Sequence, residues 1–214
     1  MSFATWFTFF VAACIIAVSP GSGAVLSMSH GLSYGVRRAS ATILGLQTGL
    51  LLVFFIAGAG VGSLLMASEV AFNIVKTVGA LYLIYLGFSQ WRAKVVVAPE
   101  MQTQAAHAAV PSLRKRFLLG FFTNATNPKG IIFMVAVLPQ FIVKDAALLP
   151  QLAILAMTMC TIDLIVMHSY AFAASSMQRF FRNASSVRKQ SRFFGGILMA
   201  VGAGLFFVKR NPAN

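Results

Sequence analysis

The sequence predicts an all-α integral membrane protein: six transmembrane helices forming two inverted three-helix repeats, with helices one and four broken. Three observations carry this. Hydrophobic residues make up 58% of the chain and charged residues 10%, with a mean hydropathy of +0.82, outside the range of ordinary soluble domains. The apolar runs are long and lack period-two alternation, so they are helices and not barrel strands. One apolar run in each half is interrupted by a proline; Pro20 and Pro128 lie 108 positions apart in a chain of 214.

The expected spans are roughly 4–28, 41–65, 70–90, 117–141, 149–174 and 193–209. They group into a first repeat at 1–92, a linker at 93–116 and a second repeat at 117–214. Each proline follows a phenylalanine-rich run, Phe7 to Phe10 and Phe117 to Phe122. Gly79 and Gly87 stand eight apart in the third span, as do Gly196 and Gly204 in the sixth. Three spans per repeat make the second repeat enter the membrane inverted, a recurring plan among transporters with discontinuous helices.

The first span carries its break at Ser19-Pro20-Gly21-Ser22-Gly23. No basic residue precedes it, the first being Arg37 and Arg38, so the segment reads as a retained span and not as a cleaved signal peptide. Span two holds Gly45-x-x-x-Gly49 and Gly58-x-x-x-Gly62, spacings that let helices approach closely. Gln47 is its most polar side chain, suited to an interhelical hydrogen bond. In span three, Tyr82 and Tyr85 share a face and are candidates to line a cavity.

The fourth span is the most unusual. Asn124-Ala125-Thr126-Asn127-Pro128-Lys129-Gly130 interrupts a 25-residue apolar run, Phe117 to Phe141. Proline removes a donor and clashes with the preceding turn, so the helix breaks. Lys129 then falls near mid-depth, where an ammonium costs roughly 3 to 10 kcal/mol or more. Such a feature is tolerated only where it is buried in protein or lines a water-filled cavity. Span five contains Asp163. The other acids, Glu69, Glu100 and Asp145, fall in loops or at span ends, so Asp163 is the sole carboxylate expected inside the membrane. An intramembrane acid marks a functional site by default; the competing reading is a structural pair with Lys129. Tyr170, seven residues on, shares its face, whereas His168 points away and reads as a packing residue.

Charge sets orientation. Arg37, Arg38, Arg92, Lys94, Arg114, Lys115, Arg116, Arg179, Arg182, Arg188, Lys189 and Arg192 lie on one side; Lys76, Lys144, Lys209 and Arg210 lie on the other. The positive-inside rule places the larger set in the cytoplasm and both termini in the periplasm. The net charge of +13 is therefore spread over short loops facing anionic lipid headgroups, not gathered for nucleic acid. The linker, with Pro99, Pro111 and His107, reads as irregular. Cys14 and Cys160 lack CxxC spacing and read as small apolar residues.

Two half-helix starts near mid-depth would present backbone N–H groups and positive dipole ends to a small anion. Pro20, Gly21, Ser22 and Gly23 would form one, and Asn124, Asn127, Pro128 and Lys129 the other. Asp163 opposite them could hold an ammonium group or carry a proton. That combination suits a zwitterionic amino acid.

These residues resemble a known family. Val75-Lys76-Thr77-Val78-Gly79-Ala80-Leu81-Tyr82-Leu83-Ile84-Tyr85-Leu86-Gly87 is similar to the third-helix signature of the lysine exporter (LysE) superfamily, in its homoserine/threonine resistance (RhtB) branch. So are Ser19-Pro20-Gly21, Gly120-Phe121 followed by Asn127-Pro128-Lys129, Leu138-Pro139-Gln140-Phe141, and Asp163-Leu164. The resemblance covers nearly the whole chain. It implies a six-helix inner-membrane exporter of amino acids, driven by the proton gradient. Ser22 stands where the family's first motif usually has a second proline, and Leu50 stands near a position that is acidic in many relatives; the latter favours a neutral substrate.

The expected function is thus proton-coupled export of small neutral amino acids or close derivatives. The candidate site comprises Pro20, Gly21, Ser22, Gly23, Gln47, Tyr85, Asn124, Asn127, Pro128, Lys129 and Asp163. The expected partners are the substrate, protons and membrane lipid, with self-association into a homo-oligomer left open. No cofactor is expected. A metal exporter would need clustered His, Cys or carboxylate ligands, but His30, His107 and His168 are scattered. An enzyme would need a nucleophile–base set, and a pure assembly protein would leave Lys129 and Asp163 without a role.

Overall fold

The computed structural model describes residues 1–66, 69–92, 110–143, 146–176 and 184–206. They form eight α-helices: α1 (Phe3–Val18), α2 (Ser22–Tyr34), α3 (Val36–Met66), α4 (Glu69–Arg92), α5 (Leu113–Ala125), α6 (Pro128–Val137), α7 (Leu148–Ser176) and α8 (Ala184–Leu205). A 3-10 turn, Leu138–Phe141, extends α6.

Both expected breaks are present. α1 and α2 meet at a bend of 55°. Pro20 supplies no N–H at the position that would donate to the Ile16 carbonyl, so α1 cannot continue through it. α5 ends at Ala125, and α6 restarts with Asn127 as its cap and Pro128 in its first turn, where a missing N–H costs nothing. Among the described residues, Val36–Gly60 and Leu148–Ser176 are each long and apolar enough to cross a bilayer, and the bent pair α1–α2 makes a third. Pro128–Phe141 and Gly195–Gly204 are shorter apolar pieces within the fourth and sixth expected spans.

The helices overrun the expected boundaries. α2 runs on to Tyr34 and only Gly35 separates it from α3, at φ 77°, a left-handed conformation that glycine adopts without strain. Arg37 and Arg38, expected in a loop, therefore sit in the first turn of α3. Likewise Arg114, Lys115 and Arg116, assigned to the linker, sit in the first turn of α5. There Ser112 caps the helix by accepting from the Lys115 N–H at 3.3 Å. Residues 93–109 of the linker, His107 included, lie outside the described residues.

Small residues set the closest helix approaches. A Cβ on Gly45 would come within 2.0 Å of the Phe117 carbonyl oxygen, one on Gly49 within 2.4 Å of the Phe121 oxygen, and one on Gly120 within 2.1 Å of the Thr42 oxygen. α3 and α5 thus pack backbone against backbone, as the first glycine pair implied. α4 and α8 pair similarly through Gly87 and Gly195, each of which would collide with the other's carbonyl oxygen. The repeat glycines marked in the sixth span do not carry this contact: Gly196 faces the Trp91 ring and Gly204 faces open space.

Two buried clusters result. The larger joins α1, α3, α6 and α7 around Phe9, Phe133, Met134 and Leu155; the smaller joins α2, α3 and α7 around Ile43, Leu46 and Ala171. Large apolar side chains also cover the outside, among them Phe3, Ile56, Val70, Ile165 and Phe172. An apolar exterior around a packed interior is what a lipid environment selects.

Candidate functional site

Between the two clusters, where both breaks meet α7, lies a cavity of about 40 Å³. It holds a few waters at most and is far below the roughly 300–1,000 Å³ of a typical ligand pocket. Its polar wall includes Ser19, Gly21, Asn124, Asn127, Lys129 and Asp163; its apolar wall includes Ile16, Leu50, Met159 and Met167.

Lys129 organises the first break. Its Nζ donates to the Ser19 carbonyl at 2.6 Å and to the Ile16 carbonyl at 3.3 Å. The Ile16 oxygen is the one that Pro20 leaves without a helical donor. An ammonium thus replaces the missing N–H and sits at the negative end of the α1 dipole, where cations are stabilised. Gly21 permits this approach, since a Cβ there would lie 3.0 Å from Nζ. The neighbouring Val18 carbonyl accepts from the Tyr170 hydroxyl at 2.7 Å.

The second break is held by its own asparagines. Asn127 Oδ1 accepts from the Lys129 N–H at 3.1 Å, Asn127 Nδ2 donates to Asn124 Oδ1 at 3.3 Å, and Asn124 Nδ2 donates to the Leu46 carbonyl at 2.9 Å. The two half-helix starts are therefore not equivalent. α6 carries a side-chain cap and a proline, whereas α2 starts at Gly21 with no side-chain cap. α2 thus begins without a side-chain acceptor for its first N–H groups, the arrangement that suits a helix start to an anion.

Asp163, buried at 7% exposure, accepts from Gln47 Nε2 at 2.6 Å. The other Gln47 amide atom, Oε1, is buried with no hydrogen-bond partner. Buried polar atoms are seldom left so, and one beside the cavity-lining Asp163 is suited to a donor arriving from outside. The competing structural pair is not formed directly: the Lys129 ammonium donates to two carbonyls and the Asp163 carboxylate accepts from Gln47. The two charges face the same cavity without bonding.

Of the candidate residues, Gly21, Gly23, Asn124, Asn127, Lys129 and Asp163 line the cavity, and Gln47 joins them through Asp163. Pro20, Ser22 and Pro128 shape the breaks without lining it; Ser22 and Pro128 are exposed. Tyr85 needs correction. It is 62% exposed on the outer surface of α4. It does share a face with Tyr82, with ring centroids 6.0 Å apart, but that face turns away from the site. His168 is a hydrogen-bonded packing residue as expected, its Nε2 3.1 Å from Ser40 Oγ and its Nδ1 2.9 Å from the Leu164 carbonyl. Sequence reasoning missed Ser19, Ile16 and the two methionines. The Ile16 carbonyl was deducible, because a proline in a helix orphans the acceptor four residues earlier. Among the described residues no three His, Cys, Asp or Glu side chains come together.

The sequence pattern of LysE type translocators matches residues 14–209, spanning both breaks and α7. The chain belongs to the LysE type translocator family. This translocator is 38% identical over 203 residues to a homoserine/homoserine lactone efflux protein of Salmonella typhi, covering 95% of this chain and 96% of the relative. It is 31% identical over 198 residues to a leucine efflux protein of Enterobacter sp. (strain 638), covering 90% of each. An uncharacterized membrane protein of Bacillus subtilis, YrhP, is 30% identical over 89% of this chain and 92% of its own length. No solved structure matches. The family and the apolar helices together identify a membrane-embedded translocator, and the efflux relatives are named as transport proteins, not enzymes.

Proposed function

We propose that this translocator exports small neutral amino acids or their close derivatives across the bacterial inner membrane by proton antiport. The observation that carries the reading is the cavity itself, where the uncapped start of α2, the Lys129 ammonium and the Asp163–Gln47 pair converge at two helix breaks. A substrate carboxylate would meet the α2 N–H groups and Lys129, and a substrate amine would meet Asp163 and Gln47 Oε1. Ile16, Leu50, Met159 and Met167 offer an apolar surface to the side chain, with no charge to select a basic one. The efflux relatives, named for homoserine, homoserine lactone and leucine, support the same substrate class.

In this reading the small cavity is an occluded state, and α1–α2 or α5–α6 must shift to admit substrate. The plan is six spans in two inverted repeats, each broken helix packing on the long helix of the other half: α1 on α7, and α5 on α3. The reciprocal contact of Gly87 with Gly195, themselves 108 positions apart, supports a pseudo-two-fold axis there. Both termini lie in the periplasm.

The test is counterflow and gradient-driven transport in proteoliposomes, with a panel of amino acids. Movement of a neutral amino acid opposite to an imposed proton flow is expected, with Asp163→Asn abolishing gradient-driven export while sparing substrate exchange. Uphill export by Asp163→Asn would exclude Asp163 as the proton carrier, and no transport of any neutral amino acid would remove the substrate class.

A further inference from the structure

A second, larger cavity lies away from the transport site, between the N-terminal ends of α3 and α5. It has a volume of about 450 Å³ and is lined by Arg37, Arg38 and Arg116 with Leu44, Leu113 and Phe117. We propose that it binds the phosphate of an anionic phospholipid, with the acyl chains lying along the apolar wall.

Three observations converge on that ligand. First, three guanidiniums line one crevice, and among the described residues no carboxylate lines it. Arg116 is held in place: its Nε donates to the Pro111 carbonyl at 3.0 Å and its Nη1 donates to the Arg38 carbonyl, bridging the two helix starts. Guanidinium forks match phosphate oxygens in geometry as well as charge.

Second, these cations stand where the backbone already disfavours them. Arg37 and Arg38 are in the first turn of α3, Arg114 to Arg116 are in the first turns of α5, and neither helix has an acid in its first turn. Positive charge at a helix N-terminus opposes the macrodipole. Two such ends facing one crevice leave a concentrated positive potential that an anion relieves.

Third, the crevice is half apolar. Leu44 is 54% and Leu113 67% exposed, and Phe117 lines the crevice with them. A water-soluble anion has no use for that wall, whereas a phospholipid matches both halves at once. The site lies at the ends of apolar helices, where headgroups are found. Occupied, it would staple α3 to α5, whose far end carries the Asn124–Lys129 break.

The experiment uses the full chain purified in a phosphatidylcholine-containing micelle. Retained lipid is counted by native mass spectrometry, and thermal stability is followed on adding phosphatidylglycerol, phosphatidylcholine or inorganic phosphate. Phosphatidylglycerol should be retained and should raise Tm, while the other two should do neither. Retention should fall about tenfold or more in R37Q/R38Q, and equally in Leu113→Glu, which places a carboxylate on an exposed position of the rim. R188Q/K189Q, which removes the same charge from exposed positions of α8, should retain it. Equal retention in Leu113→Glu or R37Q/R38Q overturns the proposal. Equal stabilisation by inorganic phosphate would mean a simple anion site, and loss in R188Q/K189Q would mean a diffuse charge effect; either also overturns it.

Discussion

Replacing Lys129 separates two accounts of its charge. If Lys129 exists to neutralise Asp163, then Lys129→Met strands a carboxylate, and adding Asp163→Asn restores the protein. The geometry gives another account, in which the ammonium serves the Ser19 and Ile16 carbonyls at 2.6 and 3.3 Å. Hydrogen bonds to charged groups contribute about 1.5–3 kcal/mol each, and polar contacts in membranes often fall nearer 0.6 kcal/mol. The short bond counts towards the upper end and the long one towards the lower, so Lys129→Met should cost about 2–4 kcal/mol. Asp163→Asn should then recover less than half of that, because both carbonyls stay orphaned whatever the charge at 163. Pro20→Ala should recover the smaller, Ile16 share, since it returns an N–H that can serve that carbonyl as α1 extends, but the straightened helix should not transport. The assay is reversible unfolding in mixed micelles for the wild type, the single variants and the two double variants, with transport in proteoliposomes alongside. Recovery of wild-type stability by Asp163→Asn, with none by Pro20→Ala, would refute the carbonyl account and restore the ion pair.

Three further outcomes are expected. Gly45→Ala should force α3 from α5, costing about 1–3 kcal/mol as an overpacked contact, whereas Gly204→Ala, with open space around it, should be neutral or stabilising by up to about 1 kcal/mol; melting of the two variants compares them directly, and equal losses would contradict the packing. Tyr85→Ala should leave export rates unchanged, because its ring lies on the outer surface; a loss in the efflux assay without a loss of stability would return it to the site. In a background lacking Cys14 and Cys160, impermeant thiol reagents applied from outside should label a cysteine at 214 and miss one at 100. The opposite labelling would reverse the orientation.

The class of this protein and the position of its breaks were determined by the sequence alone, because both follow from local chemistry. Hydropathy over a window reports the solvent of a helix, and a proline stops a helix wherever it falls. Asp163 and Lys129 stood out for the same reason: each is a charge among apolar neighbours, visible without knowing what surrounds it. Rotation about each helix axis was another matter. In a soluble protein the polar face shows which side is out, but here lipid and protein interior are both apolar, so periodicity could place Tyr82 and Tyr85 on one face without saying which way it turned. Pairing across distance was equally out of reach. That Asp163 meets Gln47, that Lys129 serves the carbonyls of Ser19 and Ile16, and that Arg116 bridges to the start of α3 depend on which helices lie side by side. Only the packing of small residues, backbone against backbone, decides that.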